Sequence, residues 1–286
     1  MNILNGLSFD IEDWFQVENL KGAISAKDWS QCDLRVVENT RKILRLLDSY
    51  NTKATFFILG WIAERCPSLI REIAGKGHEI ASHGYRHELV YKMTPGEFLE
   101  DIRRSKEILE AISGETVYGY RAPSFSLTPE TGWALDILKG LNFTYDSSVF
   151  PTSFHDRYGF TGSSRLPFVF PNGLVEIPLS TIRLCRLNFP IAGGGYFRLL
   201  PYFIFRGACR YLNMRRETLF FYLHPWELDP GQPKVKIQYV YKFRHYINLK
   251  KTEKRLGKML KEFRFAPFSH LLGIHFPEVV RNHVNI

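Results

Sequence analysis

The sequence predicts an α/β fold built on a parallel sheet or barrel, and three observations carry that expectation. Strand-like and helix-like segments alternate through the first half of the chain. The segment from Ala54 to Leu59 (ATFFIL) is an unbroken apolar run, the pattern of a strand covered on both faces. The connections between segments are short, as repeated β-α-β units require.

Gly6 to Ile11 reads as a short buried strand ending in acids. Val36 to Tyr50 sets Val36, Ile43, Leu44, Leu47 and Tyr50 close to one helical stripe. Pro67 opens a helix that Gly75 and Gly77 close. His78 to His83 forms the next strand. Thr94 caps a helix that Pro95 starts and that runs to about Ser113, with Phe98, Ile102, Leu109 and Ile112 inward. A strand near Tyr118 to Arg121, a helix from Pro129 to Lys139 and a strand from Asn142 to Asp146 complete the alternation. Beyond Phe150 the regularity weakens. Pro167 to Pro178 reads as a hairpin through Asn172-Gly173, and Gly193-Gly194-Gly195 as a loop. Leu199 to Leu212 reads as a helix and Leu219 to Leu223 as a last buried strand. Asn248 to Phe263 reads as a basic helix with Leu256, Met259, Leu260 and Phe263 on one side.

At 286 residues the chain is near the upper size for one hydrophobic core, so one large domain with an appendix is expected. We place a barrel over residues 1–230 and a basic, partly helical extension packed on it over 231–286. The formal charge of +9 is concentrated between Lys234 and Arg264, where eleven cations face only Glu253 and Glu262. Such a run fits a solvated helix face, or contact with a membrane surface or anionic polymer. No zinc-finger spacing or RNA-binding signature accompanies it, so no nucleic-acid partner is expected. Cys32, Cys66, Cys185 and Cys209 form no CxxC pair, which argues against a thiolate metal site and a disulfide framework. Met1 to Gly6 lacks the features of a signal peptide, and no stretch reaches the roughly 18 apolar residues that span a bilayer. A cytoplasmic protein is expected, either free or peripheral to the inner face of the membrane.

Working residues of parallel α/β folds gather at the carboxyl ends of the strands. Asp10, His83, Arg121, Asp146 and His224 each end an expected strand, which points to one site. Asp10, Glu12 and Asp13 put three acids behind an apolar strand, costly to bury unless paired or metal-bound. His83 and His87, four apart, can share one face of a helical turn and hold one metal between their rings. Two histidines and one carboxylate leave open positions on an ion, as a catalytic site requires. An arginine such as Arg121 favours the charged form of a neighbouring carboxylate. His224, leaving an apolar strand and followed by Pro225, is placed to act as a general acid or base.

The ordered motifs FDxED, SHGxxH, RAPS, YDSS and LHPWE resemble those of the NodB-homology polysaccharide deacetylases. The likeness is greatest to the branch found beside exosortase and exopolysaccharide loci, through the FDIEDWF start and the segment from Gly193 to Arg198 (GGGYFR). It spans Leu7 to about Phe268. The resemblance implies a distorted (β/α) barrel of about seven parallel strands and a divalent metal, usually zinc. It implies hydrolysis of N-acetyl groups on a polysaccharide or oligosaccharide by metal-bound water, in exopolysaccharide biosynthesis. Asp10 would be the base, Arg121 its partner, His83 and His87 metal ligands and His224 the acid. Glu12 or Asp13 supplies the metal carboxylate, and strand alternation, which sets Asp10 and Glu12 on one face, favours Glu12. Pro123, Ser124, Asp146 and Leu223 would border the oxyanion or substrate pocket, Ser124 through its backbone N–H. The alternatives are a hydrolase of a small non-sugar amide on the same fold and a non-catalytic glycan-binding module. An iron oxygenase using the same ligand set is opposed by the alternating β-α pattern.

Overall fold

The structure is a computed structural model that describes residues 3–152, 163–185 and 187–278. In chain order the strands are β1 (Leu4–Ile11), β2 (Thr55–Ile58), β3 (Glu79–Ser82), β4 (Gly119–Tyr120), β5 (Tyr145–Asp146), β6 (Phe168–Val169), β7 (Val175–Glu176), β8 (Thr181–Leu184), β9 (Leu187–Pro190), β10 (Phe220–Leu223) and β11 (Arg264–Ala266). Helices α1 (Val36–Ser49), α2 (Gly60–Arg65), α3 (Pro67–Gly75), α4 (Pro95–Ser113) and α5 (Trp133–Gly140) link the first five strands. Then come α6 (Gly194–Leu199), α7 (Tyr202–Met214), α8 (Tyr239–Tyr246), α9 (Leu249–Glu262) and α10 (Phe268–His275).

The sheet runs in the order β10-β1-β2-β3-β4-β5-β7-β6. From β10 to β7 the seven strands are parallel, and β6 adds an antiparallel edge. The sheet curls into a half-barrel that no strand ladder closes among the described residues. Ser180, just after β7, stitches the gap: its Oγ accepts from Phe220 N (2.8 Å) and its N–H donates to Phe220 O (3.3 Å). Because side chains alternate along a strand, one set fills the barrel and the other meets the helices. Phe57, Ala81, Tyr145, Val175 and Phe220 pack inside, and Phe268, Leu271 and Leu272 of α10 join them. Leu7, Phe9, Phe56 and Ile80 pack outward with the helix layer.

Local chemistry accounts for the elements that frame the site. Thr94 and Glu97 form a reciprocal capping box at the start of α4, and Gly114 ends the helix at φ +74. The expected triple-glycine loop is instead the turn into a helix, with Gly193 at φ +100 and Gly194 and Gly195 as the first residues of α6. The C-terminal segment contributes to the sheet itself: β11 pairs in parallel with the start of β1, and Phe268 N donates to Thr55 Oγ1 (2.7 Å) at the start of β2. On α9, Leu249, Leu256, Met259 and Leu260 are buried while the lysines face out. No helix among the described residues is long and apolar enough to cross a membrane.

Candidate metal centre

Arg121, fully buried at the end of β4, organises the floor of the site. Its Nη1 donates to Asp10 Oδ1 (2.6 Å) and Ser8 Oγ (2.9 Å), while Nε and Nη2 bond the carbonyl and hydroxyl of Ser147. The guanidinium also lies over the Phe57 ring, 4.0 Å from its centroid. Ser8 and Asp10 meet Arg121 together because they alternate on the inner face of β1.

Glu12, His83 and His87 offer ligand atoms that all lie within 4.8 Å of one another, and all three residues are buried. His83 Nδ1 sits 2.8 Å from Arg121 O. A carbonyl can only accept, so Nδ1 carries the proton and Nε2 keeps its lone pair. Burial lowers the His83 pKa to about 4, which keeps the ring neutral, the ligand form. His87 Nε2 stands 2.8 Å from Glu12 Oε2, a buried oxygen with no hydrogen-bond partner among the described residues. Burial opposes the charge of Glu12, but His87, His224 and His83 outweigh it and hold its carboxyl down at about 2. His83 Nε2 with its lone pair, the His87 ring and the buried Glu12 carboxylate make a donor set that fits a divalent transition-metal ion.

The histidine pair is not held on a helical turn as expected. Residues 83–87 form a loop, with Gly84 at φ +75 and His87 at φ +53. Side chains of α4 supply the bonds a helix would have made internally. Asp101 accepts from Tyr85 N (2.7 Å) and Arg86 N (3.2 Å), and Ser105 Oγ donates to Gly84 O (3.0 Å).

Asp13 lies apart from this group. Its carboxylate accepts from Trp14 N (2.8 Å), Arg35 N (2.7 Å) and Val36 N (2.9 Å), capping α1 from a distant loop. Glu12 and Asp13 both lie past the end of β1 at Ile11, where Glu12 N donates back to Asp10 O (3.1 Å) as the chain turns out of the sheet. Asp146 is also turned away. Its inward neighbour is Tyr145, while Asp146 pairs in register with Glu176 and accepts from Ser148 Oγ (2.5 Å). Asp146 and Leu223 are buried outside the pocket lining, and Pro123 also lies outside it.

The pocket is a cavity of about 350 Å³ that Asp10, Glu12, His83, His87 and His224 share with Ser124. Phe125 and Tyr222, not anticipated from the sequence, line it with rings 5.0 Å apart. Tyr222 takes the inward place on β10 that Leu223 was expected to hold. His224 Nδ1 lies 2.7 Å from Glu227 Oε1, and its Nε2 lies 3.2 Å from Glu12 Oε1. Burial works against a charge on His224, yet Glu12 and Glu227 outweigh burial and raise its pKa to about 9. Arg198 Nε in turn donates to Glu227 Oε2 (2.6 Å), and its other nitrogens bond the carbonyls of Arg244, His245 and Ile247. Arg198, Glu227 and His224 thus form a relay from α6 and the end of α8 into the pocket. A clue lay in the sequence: Gly194 and Glu227 both belong to quoted motifs, and a side chain at Gly194 would overlap the Glu227 carboxylate.

Residues 28–145 match the polysaccharide deacetylase family, and residues 147–273 match a domain of unknown function, DUF3473. A peptidoglycan-N-acetylglucosamine deacetylase of Bacillus cereus is 39% identical over 87 residues, 30% of this chain and 32% of that protein. A peptidoglycan deacetylase of Helicobacter pylori is 29% identical over 123 residues, 43% of this chain and 41% of that protein. The chain therefore spans about a third to two-fifths of the length of these curated relatives. The crystal structure of a putative polysaccharide deacetylase from Mycobacterium smegmatis superposes with a TM-score of 0.62 at 20% identity, covering 98% of this chain and 91% of the other.

Proposed function

The chain belongs, through its amino-terminal half, to the NodB-homology polysaccharide deacetylases, and on that premise we propose that its pocket hydrolyses the N-acetyl group of a glycan. One observation carries the reading: the three-ligand cluster of Glu12, His83 and His87 opens into the same cavity as the Arg121-bound Asp10 and the Glu227-bound His224. A divalent ion on Glu12, His83 and His87, with zinc as the ion that suits this donor set, would act as a Lewis acid toward an acetyl carbonyl and acidify water.

Asp10, fixed by Arg121, is the base that takes a proton from the attacking water. The backbone N–H of Ser124, in the pocket wall, is the candidate donor to the developing oxyanion. His224, oriented through Nδ1 by Glu227, gives its proton from Nε2 to the departing sugar nitrogen, a poor leaving group unless protonated. The rings of Phe125 and Tyr222 offer apolar surface for the acetyl methyl and the sugar face. The likeness of the FDIEDWF start and of Gly193 to Arg198 to the exopolysaccharide-locus branch supports a glycan in biosynthesis as the substrate. The test is acetate release from defined N-acetylated oligosaccharides before and after chelation. Release that stops with chelator and returns with added zinc supports the reading, and no release under any metal supply counts against it.

A further inference from the structure

Helix α8 turns nearly all of itself outward, and His245 is its one buried residue. Tyr239, Val240 and Phe243 stand within one turn on the same side and are 80%, 55% and 46% exposed. Phe243 and Leu199, the latter 49% exposed, also line the pocket, so this apolar strip is continuous with its rim. Exposed Lys236 and Lys242 flank it, and α9, the next helix in the chain, exposes Lys250, Lys251, Lys254 and Lys258. Among the described residues, none of these six lysines is paired with a carboxylate. A solvated helix explains the lysines but not the rings beside them, and an anionic polymer would need the charge alone. Apolar and aromatic side chains edged by unpaired lysines are the composition of a surface that lies in a bilayer interface.

We propose that the α8 rim of the pocket docks on a bilayer surface rich in acidic phospholipid. Tyr239, Val240 and Phe243 seat among the headgroups, and the lysines of α8 and α9 and their approach meet lipid phosphates. On the deacetylase reading, on which this one step rests, the glycan taken by the pocket is displayed at a membrane. The experiment is co-sedimentation of the full chain with neutral phosphatidylcholine vesicles and with vesicles of roughly one-third phosphatidylglycerol at about 0.1 M salt. The protein is expected to bind the acidic vesicles, to ignore the neutral ones and to detach as salt rises. The variant Tyr239→Ser/Val240→Ser, whose charge is unchanged, is expected to bind the acidic vesicles roughly tenfold more weakly. Lys236→Glu/Lys242→Glu is expected to lose most binding, with thermal melting confirming that both variants fold. Failure of the wild type to bind acidic vesicles overturns the docking. So does a serine variant that binds like the wild type while a soluble polyanion displaces both, since the surface would then read charge alone. Acetate release from soluble oligosaccharides is measured separately, so the docking and the chemistry stand or fall apart.

Discussion

Gly194 lies against Glu227 so closely that a Cβ on residue 194 would overlap the carboxylate. The glycine opening α6 therefore leaves the space in which Glu227 reaches both Arg198 and His224. Gly194→Ala is expected to displace Glu227, release His224 from its orientation and lower kcat by about 10²-fold or more, the scale of a general-acid contribution. Bound metal should stay near the wild-type level, because Gly194 touches none of the cluster. Metal analysis beside steady-state kinetics separates the two effects, and unchanged kcat would remove the relay from the account.

Glu12 and Asp13 are neighbours in sequence with different duties in the fold. Glu12→Gln, His83→Ala and His87→Ala are each expected to lose most bound metal. Asp13→Ala is expected to keep the metal and to destabilise the fold by about 1–2 kcal/mol, because it removes a cap from α1 and leaves buried N–H groups unpaired. Metal content and denaturant titration of the four variants check the division. Metal loss in the Asp13 variant with no loss from Glu12→Gln would reverse it.

Arg121 and Asp10 form a buried ion pair whose fork also satisfies Ser8 and Ser147. Arg121→Ala leaves a carboxylate buried without its partner, and a loss of about 3–5 kcal/mol in unfolding free energy is expected. Arg121→Lys keeps the charge but not the fork, so it should recover only part of that loss. Equal stability of the alanine variant and the wild type would contradict the buried-pair geometry.

His78 predicts the sign of an acid effect on stability. Its Nδ1 accepts from Ala54 N (3.3 Å) and its ring lies 5.0 Å from that of Phe56. Burial, reinforced by Lys53, lowers its pKa from 6.5 to about 4. The unfolded chain therefore binds the proton first, so the stability present above pH 6.5 is lost as the pH falls toward 4. This residue contributes at most about 3.5 kcal/mol over that window, from about 1.4 kcal/mol per pKa unit. His78→Gln should flatten the stability curve between those pH values by that amount. An identical slope in the variant would show that His78 is not buried in its neutral form.

Local rules of the chain were enough to read α4, because its cap, its proline and its terminal glycine are all contiguous with it. Strand alternation favoured Glu12 over Asp13 without excluding Asp13, because both residues lie just past the end of β1 at Ile11. The two-residue β5 leaves no run that fixes a face, and Asp146 was read onto the inner face that Tyr145 occupies. The same one-residue ambiguity set Leu223 where Tyr222 stands. The loop from His83 to His87 has its geometry imposed by Asp101 and Ser105 of α4, and no local periodicity records that. The Arg198–Glu227–His224 relay joins residues 29 apart in sequence through a glycine contact, which becomes visible only once α6 is folded onto β10.

The most direct test of the central claim measures acetate release and bound metal together for the wild type and Asp10→Asn, on N-acetylglucosamine oligosaccharides. Acetate is expected from the wild type, and from the variant about 10²–10⁴-fold less at undiminished metal content, because Asp10 is the base and not a ligand. A wild type that holds its metal yet releases no acetate, or a variant that releases it at the wild-type rate, would contradict the account.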